Sequence, residues 1–388
     1  MGNVQYAYIN SKILKWAREE TPFNIEDVSI RLKNIDTETI KKWENGEELI
    51  SITNAKKLAN LYDVPFASFY LSDIPEKQSN NYIDRRTLSD YMDKEISYEL
   101  WKEIRYLNSC RENALELLNN DENISKIPSL NSNVNIDEIA QVIRKDFNID
   151  TPFKNKTQYK NKPFTFYREK LEKYGILILQ MNNVSVKEIR GLSLNYDVLP
   201  IIGINKADTE RAKVFTLFHE LAHIVRRTSA LCSIKFDERS DTEEKTCDKI
   251  ASEVLVPKSA ILNIVKNNTR RILDDELIKE ISDKFGVSTF VIIKKLYDLN
   301  IITYEDYSRK YNEYIEEFNK VKEKVKENEE KGNFKLPYFR KYLNVTGKLY
   351  PSIVLSAYFD GKISLGEVTR TLNIKTSHIE NIERTVMF

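Results

Sequence analysis

Glycine and proline are scarce. With ten of each in 388 residues, the chain has too few turn residues for a many-stranded fold, so long helices with short connections are expected. Cysteine is scarcer still: Cys110, Cys232 and Cys247 are far apart and odd in number, which excludes a disulfide framework and a four-cysteine zinc knuckle and fits a reducing compartment. An excess of one charge is also missing. Sixty Lys and Arg against 59 Asp and Glu leave a formal +1, so no global field draws the chain onto nucleic acid or anionic lipid, and any such contact is local. No apolar run approaches a membrane span, and the first twenty residues hold no unbroken apolar segment, so a soluble, cytoplasmic protein without membrane contact is expected.

What is present reads as a mostly α protein of several domains, with a small antiparallel β-sheet (an α+β chain). Residues 1–77 carry short amphipathic helices built on Ile13, Leu14, Trp16 and Ala17, then Ile25, Val28, Ile30 and Leu32, then Ile40 and Trp43, then Ala55, Leu58 and Leu61. Residues 78–130 form a bridge, polar from Gln78 to Arg86 and helical from Ser97 to Leu118, before a loop that opens at Asp121. Residues 131–304 hold strand signals at Gly175–Met181, Glu188–Asn195 and Leu199–Asn205, with helical patterns before and after them. Residues 305–388 begin as a charged helix and end in a helical unit from Leu336, dense enough in aromatic and apolar residues (Tyr338, Phe339, Tyr342, Tyr350, Phe359) to build a small core.

The chain has three histidines, and two fall in His219-Glu220-Leu221-Ala222-His223. In a helix, residues four apart share a face, so both imidazoles can address one cation, with Glu220 set beside its water as general base. Zinc held this way lowers the pKa of that water toward neutrality. The ordinary alternative is a buried helix with two internally satisfied histidines. A third protein ligand is needed. The helix from Glu243 packs through Cys247, Ile250, Ala251, Val254 and Leu255, which sets Glu244 at the edge of the buried face, where a carboxylate needs a partner. Glu243, Asp248 and Cys247 are the alternatives. Tyr196, Arg190 and Arg211 are polar candidates for holding an oxyanion, a role left open.

From about Ile136 to Asp306 the chain resembles the ImmA/IrrE group of bacterial and phage zinc metallopeptidases. The likeness is carried by Gly175-Ile176-Leu177-Ile178, Arg190-Gly191-Leu192-Ser193-Leu194, Pro200 to Asn205, Phe215 to Ile224, and Glu244 to Pro257. That resemblance implies a zincin-like metallopeptidase core, one Zn2+ per chain (Mn2+ is an alternative), ligands His219, His223 and Glu244, general base Glu220, and a transcriptional repressor as substrate. Asp248 stands where asparagine is usual, and Phe218 and Ala222 replace the commoner Ala and Gly.

The N-terminal segment resembles a phage-repressor-type helix-turn-helix domain, with Ile25 to Leu32 as supporting helix and Asp36 to Trp43 as recognition helix. Thr37, Thr39, Lys41 and Lys42 are its candidate contacts to DNA or to a partner. Residues 1–75 hold nine Lys and Arg against eleven Asp and Glu, and the recognition helix opens Asp36-Thr37-Glu38, an unfavourable approach to phosphate. Docking of a partner protein, or an internal regulatory role, is therefore expected ahead of operator binding. Glu276–Leu296 and Ser364–Ile382 repeat the helix-turn-helix rhythm as packing units, and His378 reads as a surface or packing histidine.

Overall fold

The computed structural model describes residues 5–33, 35–75, 96–118, 135–149, 153, 159, 162–227, 238–268, 270–329 and 336–387. The polar stretch 78–86, the loop from Asp121 and Cys232 lie outside the described residues. The chain forms two compact units, Met1–Asn108 and Ser109–Phe388.

The first unit contains α1 (Ser11–Glu19), α2 (Ile25–Leu32), α3 (Thr37–Asn45) and α4 (Ile52–Leu61), with β1 (Tyr6–Ala7) pairing antiparallel to β2 (Ile50–Ser51). Polar caps start the helices: the side chains of Asn10, Asn24, Asp36 and Ser51 each accept from a first-turn backbone N–H. Asn24 and Asp27 close a capping box. Ile13, Leu14, Ala17, Val28, Ile40, Ala55 and Leu58 fill the core, as the periodicity predicts. Ile30 is the exception at 74% exposed, because the short α2 turns only its Val28 face inward. Arg18 Nε and Nη2 donate to the two carboxylate oxygens of Glu44 at 2.7 and 3.0 Å, tying α1 to α3. The helix α5 (Tyr98–Leu118) begins in this unit: Tyr98 lies against Phe23 at 4.8 Å between ring centroids and donates to the Leu61 carbonyl at 3.0 Å.

The second unit is built round a three-stranded sheet of β3 (Leu177–Met181), β4 (Gly191–Leu194) and β5 (Ile201–Asn205), in the order β3-β5-β4. The sheet is mixed rather than antiparallel throughout. β5 runs parallel to β3, with Leu177 opposite Ile201, and antiparallel to β4, with Gly191 opposite Ile204. The cause is the β3–β4 connection, which does not close a hairpin: the Asn205 amide donates to the carbonyls of Val184 and Ile189 at 3.0 and 2.9 Å. That fixes the connection at the end of β5 and leaves the central place to the apolar Ile201-Ile202-Gly203-Ile204 run.

Helices α6 (Ile136–Asp146), α7 (Pro163–Glu172), α8 (Glu210–Arg226), α9 (Glu238–Leu255), α10 (Lys258–Asn267), α11 (Asp275–Phe285), α12 (Thr289–Asp298) and α13 (Tyr304–Glu329) follow; α9 starts at Glu238 rather than Glu243, and α10 is a helix not expected from the sequence. One apolar cluster runs through them, and α8 lies in it against β4, β5, α7 and α9. α11 and α12 belong to this core through Leu277, Ile281, Phe285, Ile292 and Leu296, so their helix-turn-helix rhythm is packing.

The chain ends in α14 (Tyr338–Thr346), α15 (Leu349–Phe359), α16 (Leu365–Leu372) and α17 (Ile379–Val386). Val354, Leu355, Val368, Leu372 and Ile382 are buried in these helices, whereas Tyr338 and Phe359 are exposed. α14 packs on the edge strand β3, and the connection is polar. Buried Arg168 of α7 donates to the carbonyls of Asn344 and Val345 at 2.7 and 2.9 Å, and Glu172 accepts from the Lys348 N–H at 3.1 Å. Gly347, at φ +73°, makes that approach possible, since an added Cβ would overlap Glu172 Oε1.

Candidate metal centre

The helix α8 is started by the Thr209 hydroxyl, which accepts from the Ala212 N–H, and ended by Arg227 in the left-handed region. Every residue from Thr216 to Val225 is buried. For two histidines and a glutamate to sit in such a segment, their polar atoms need partners. The next helix supplies them. α9 buries Cys247, Ile250, Ala251, Val254 and Leu255 and brings Glu244 and Asp248 against His219.

The donor atoms converge. His219 Nε2 lies 3.2 Å from His223 Nε2 and 3.1 Å from Glu244 Oε2, and His223 Nε2 lies 3.6 Å from Glu244 Oε1. These three residues offer ligand atoms that all fall within 4.8 Å of one another. Tetrahedral bonds of about 2.0–2.1 Å to one zinc would space their donors by about 3.3 Å, so the residues present fit a zinc-sized ion. His219 Nδ1, the far side of the same ring, lies 2.8 Å from Asp248 Oδ1.

Glu220, beside this cluster, is 1% exposed, and its Oε2 has no hydrogen-bond partner among the described residues. β4 is pressed against it. A Cβ on Gly191 would overlap Thr216 and come within 3.0 Å of Glu220 Oε1, so glycine is required there. The neighbouring Ser193 hydroxyl is buried beside the same carboxyl and favours its charged form. A buried carboxyl oxygen without a partner among the described residues fits a place where a group outside the chain, such as water or substrate, would bind.

Electrostatics set the protonation of the metal-free cluster. Burial opposes charge on His219, but hydrogen bonds to Asp248 and Glu244 outweigh it and hold its pKa up at about 10. Burial, reinforced by the charge of His219, pushes His223 down to about 4. Burial also pushes Glu220 up to about 8, against the attraction of His219. One imidazole is therefore charged and its neighbour neutral, so that His219 Nε2–H can donate toward the His223 Nε2 lone pair.

The alternatives to Glu244 are engaged elsewhere. Glu243 accepts two hydrogen bonds from Arg226, at 2.7 and 2.9 Å, although with His223 and Cys247 it forms an overlapping group of possible donors. Cys247 is fully buried, with its thiol pKa raised by burial. Of the oxyanion candidates, Arg190 pairs with Asp208 at 3.2 Å, Arg211 holds Asp283 and the Val287 carbonyl, and Tyr196 lies 3.6 Å beneath the Arg111 guanidinium. His378 stacks on Tyr338 at 4.3 Å. On α3, Thr39 closes the Asp36 cap, Lys42 pairs with Glu38 at 3.2 Å, Lys41 is exposed and Thr37 is half-buried.

Three features were missed in the sequence. Arg111, on the expected bridge, donates to the carbonyls of Val198 and Leu199 at 2.9 and 3.1 Å and fixes the β4–β5 loop. Its long-range partners carry no local signal. The contact of Gly191 with Glu220 and the pairing of Arg226 with Glu243 each had a trace, in an isolated glycine inside a strand and a basic residue in a last helical turn.

Residues 171–297 match the family model for the IrrE N-terminal-like domain, and residues 14–69 match that for a helix-turn-helix domain. No curated protein and no solved structure matches the chain. The order of the two modules agrees with the resemblance read from the sequence, and together they support a metallopeptidase- or regulator-like role. No helix among the described residues is long and apolar enough to cross a membrane.

Proposed function

We propose that this chain is a zinc-dependent endopeptidase of the cytoplasm that cleaves a helix-turn-helix repressor and so switches on a phage, mobile-element or defence gene programme. One observation carries the reading: three donors at zinc spacing lie beside a buried glutamate whose Oε2 has no hydrogen-bond partner among the described residues. His219, His223 and Glu244 would hold Zn2+, or Mn2+ in its place. When bound, the cation supplies Lewis-acid polarisation of water and of the scissile carbonyl, and its charge favours the ionised form of Glu220. Glu220 takes the proton of the attacking water and returns it to the leaving amine nitrogen. The low-polarity walls round it, with β4 on one side, strengthen that exchange by excluding bulk water. The repressor as substrate rests on the likeness to the ImmA/IrrE group and on the helix-turn-helix module.

A second reading, a DNA-binding regulator or antitoxin-like protein with a structural or silent metal site, is favoured by the same helix-turn-helix match. Glu220 separates the two, since a structural site needs only the three ligands. Co-expression with a candidate repressor, comparing the native chain with Glu220→Gln, tests the choice. Cleavage by the native chain alone supports the peptidase; an intact repressor in both, with metal bound, supports the regulator.

A further inference from the structure

Asp248 stands four residues after Glu244 on α9, so the two carboxylates project one turn apart toward α8. They meet the same imidazole from opposite sides. Asp248 Oδ1 lies 2.8 Å from His219 Nδ1, while Glu244 Oε2 lies 3.1 Å from Nε2. A neutral imidazole presents a lone pair at one nitrogen only, and the partner of the other nitrogen decides which. A carboxylate accepts and does not donate, so with a cation on the Nε2 side Asp248 would hold the ring's one remaining proton at Nδ1 and leave the Nε2 lone pair to the cation.

We propose that Asp248 is a positioning residue of the metal centre: it fixes the tautomer and the ring plane of His219 and, being charged, raises the basicity of Nε2 as a ligand. The inference rests on the reading of His219, His223 and Glu244 as a metal site. Two observations separate this role from packing and from direct ligation. The Asp248 side chain is 56% exposed, so removing it leaves no cavity in the core. Its oxygen faces the nitrogen on the far side of the ring from the convergent donors. Glu243, the neighbouring acid, accepts a bidentate pair from Arg226 instead. An ionised carboxylate accepts more strongly than a neutral amide, so aspartate makes a stronger partner for the ring N–H than asparagine would.

The test is zinc affinity of the full chain, measured by competition with a chromophoric chelator for the native protein, Asp248→Ala, Asp248→Asn and His219→Ala, with circular dichroism as the check on folding. The expected order is native tightest, Asp248→Asn weaker, and Asp248→Ala weaker by about 10–100-fold, all three still binding one zinc, and His219→Ala binding none. Partial rescue by asparagine is the mark of an acceptor role, since a purely structural contact would not follow acceptor strength. Native-like affinity in Asp248→Ala would overturn the proposal and leave the metal site standing. Loss in Asp248→Ala as complete as in His219→Ala would make Asp248 a ligand and overturn it as well. A native protein that takes up no zinc would sink the metal reading itself.

Discussion

Two buried polar clusters lie in the second unit, and they are finished differently. Arg168 and Glu172 of α7 close on themselves and on the chain: the guanidinium meets Glu172 at 3.2 Å and the carbonyls of Asn344 and Val345, and the carboxylate meets the Lys348 N–H. The cation is built in. The cluster of α8 and α9 gathers ligand-type atoms from two histidines and a carboxylate, and beside it Glu220 Oε2 has no partner among the described residues. The first cluster is held by an arginine that cannot give up its charge; the second is held by an imidazolium that can, which would free its donor atoms for a bound cation.

The largest expected effect breaks the comparison on the functional side. Glu220→Gln should lower repressor cleavage by about 10²–10⁴-fold, because the near-isosteric amide cannot accept a proton, while zinc content and unfolding midpoint stay at or above the native values. Equal cleavage rates would remove Glu220 from the mechanism. The matching change on the structural side is Gly347→Ala, which forces a Cβ into the Arg168–Glu172 pair. Its expected cost is about 3 kcal/mol or more of stability, read by denaturant unfolding, with zinc per folded chain unchanged. A native midpoint would mean that the pair tolerates separation.

The pH dependence sharpens the contrast. In the metal-free protein, His219 is held up at about 10 and Glu220 at about 8, both above their unfolded values, so each binds its proton more tightly folded than unfolded. Their contributions are present below the unfolded pKa and are lost as pH rises through the folded one. His223, held down at about 4, acts oppositely but only below about 6.5. Metal-free stability should therefore fall between pH 6.5 and 10. Zinc uptake at pH 7.5 should release between about one and two protons, one from His219 and part of one from Glu220, measurable by calorimetry in buffers of different ionisation enthalpy. Proton-neutral uptake would contradict this assignment.

The smallest effect belongs to the first unit. Lys42 is paired with Glu38 on an exposed helix face, so the charges cancel within α3 and offer phosphate little. Lys42→Ala should leave the unfolding midpoint unchanged within error, and anisotropy titration of the native chain at physiological salt should give no DNA binding tighter than about 1 μM. Tight, sequence-selective binding would restore the operator-binding role.

Much of this was legible in the sequence because the signals are local. The four-residue spacing of His219 and His223 fixed a shared face, Asp36 marked the start of α3, and apolar periodicity located α6, α7, α8, α11 and α12 to within a few residues but not α10. The misses are long-range. Strand order depends on Asn205 reaching Val184 and Ile189, and the docking of the last helices depends on Arg168 meeting carbonyls about 176 residues away. No local pattern encodes either. Glu244 and Asp248 could be ranked only by their likeness to a family, because both lie at the edge of one helical face, and the two sides of the His219 ring are distinguished only in space.

The most direct test of the metal centre is elemental analysis of purified native, His223→Ala and Glu244→Ala proteins, each loaded with zinc and dialysed. The account predicts one zinc per native chain and substantial loss in both variants. Full zinc in Glu244→Ala would contradict it.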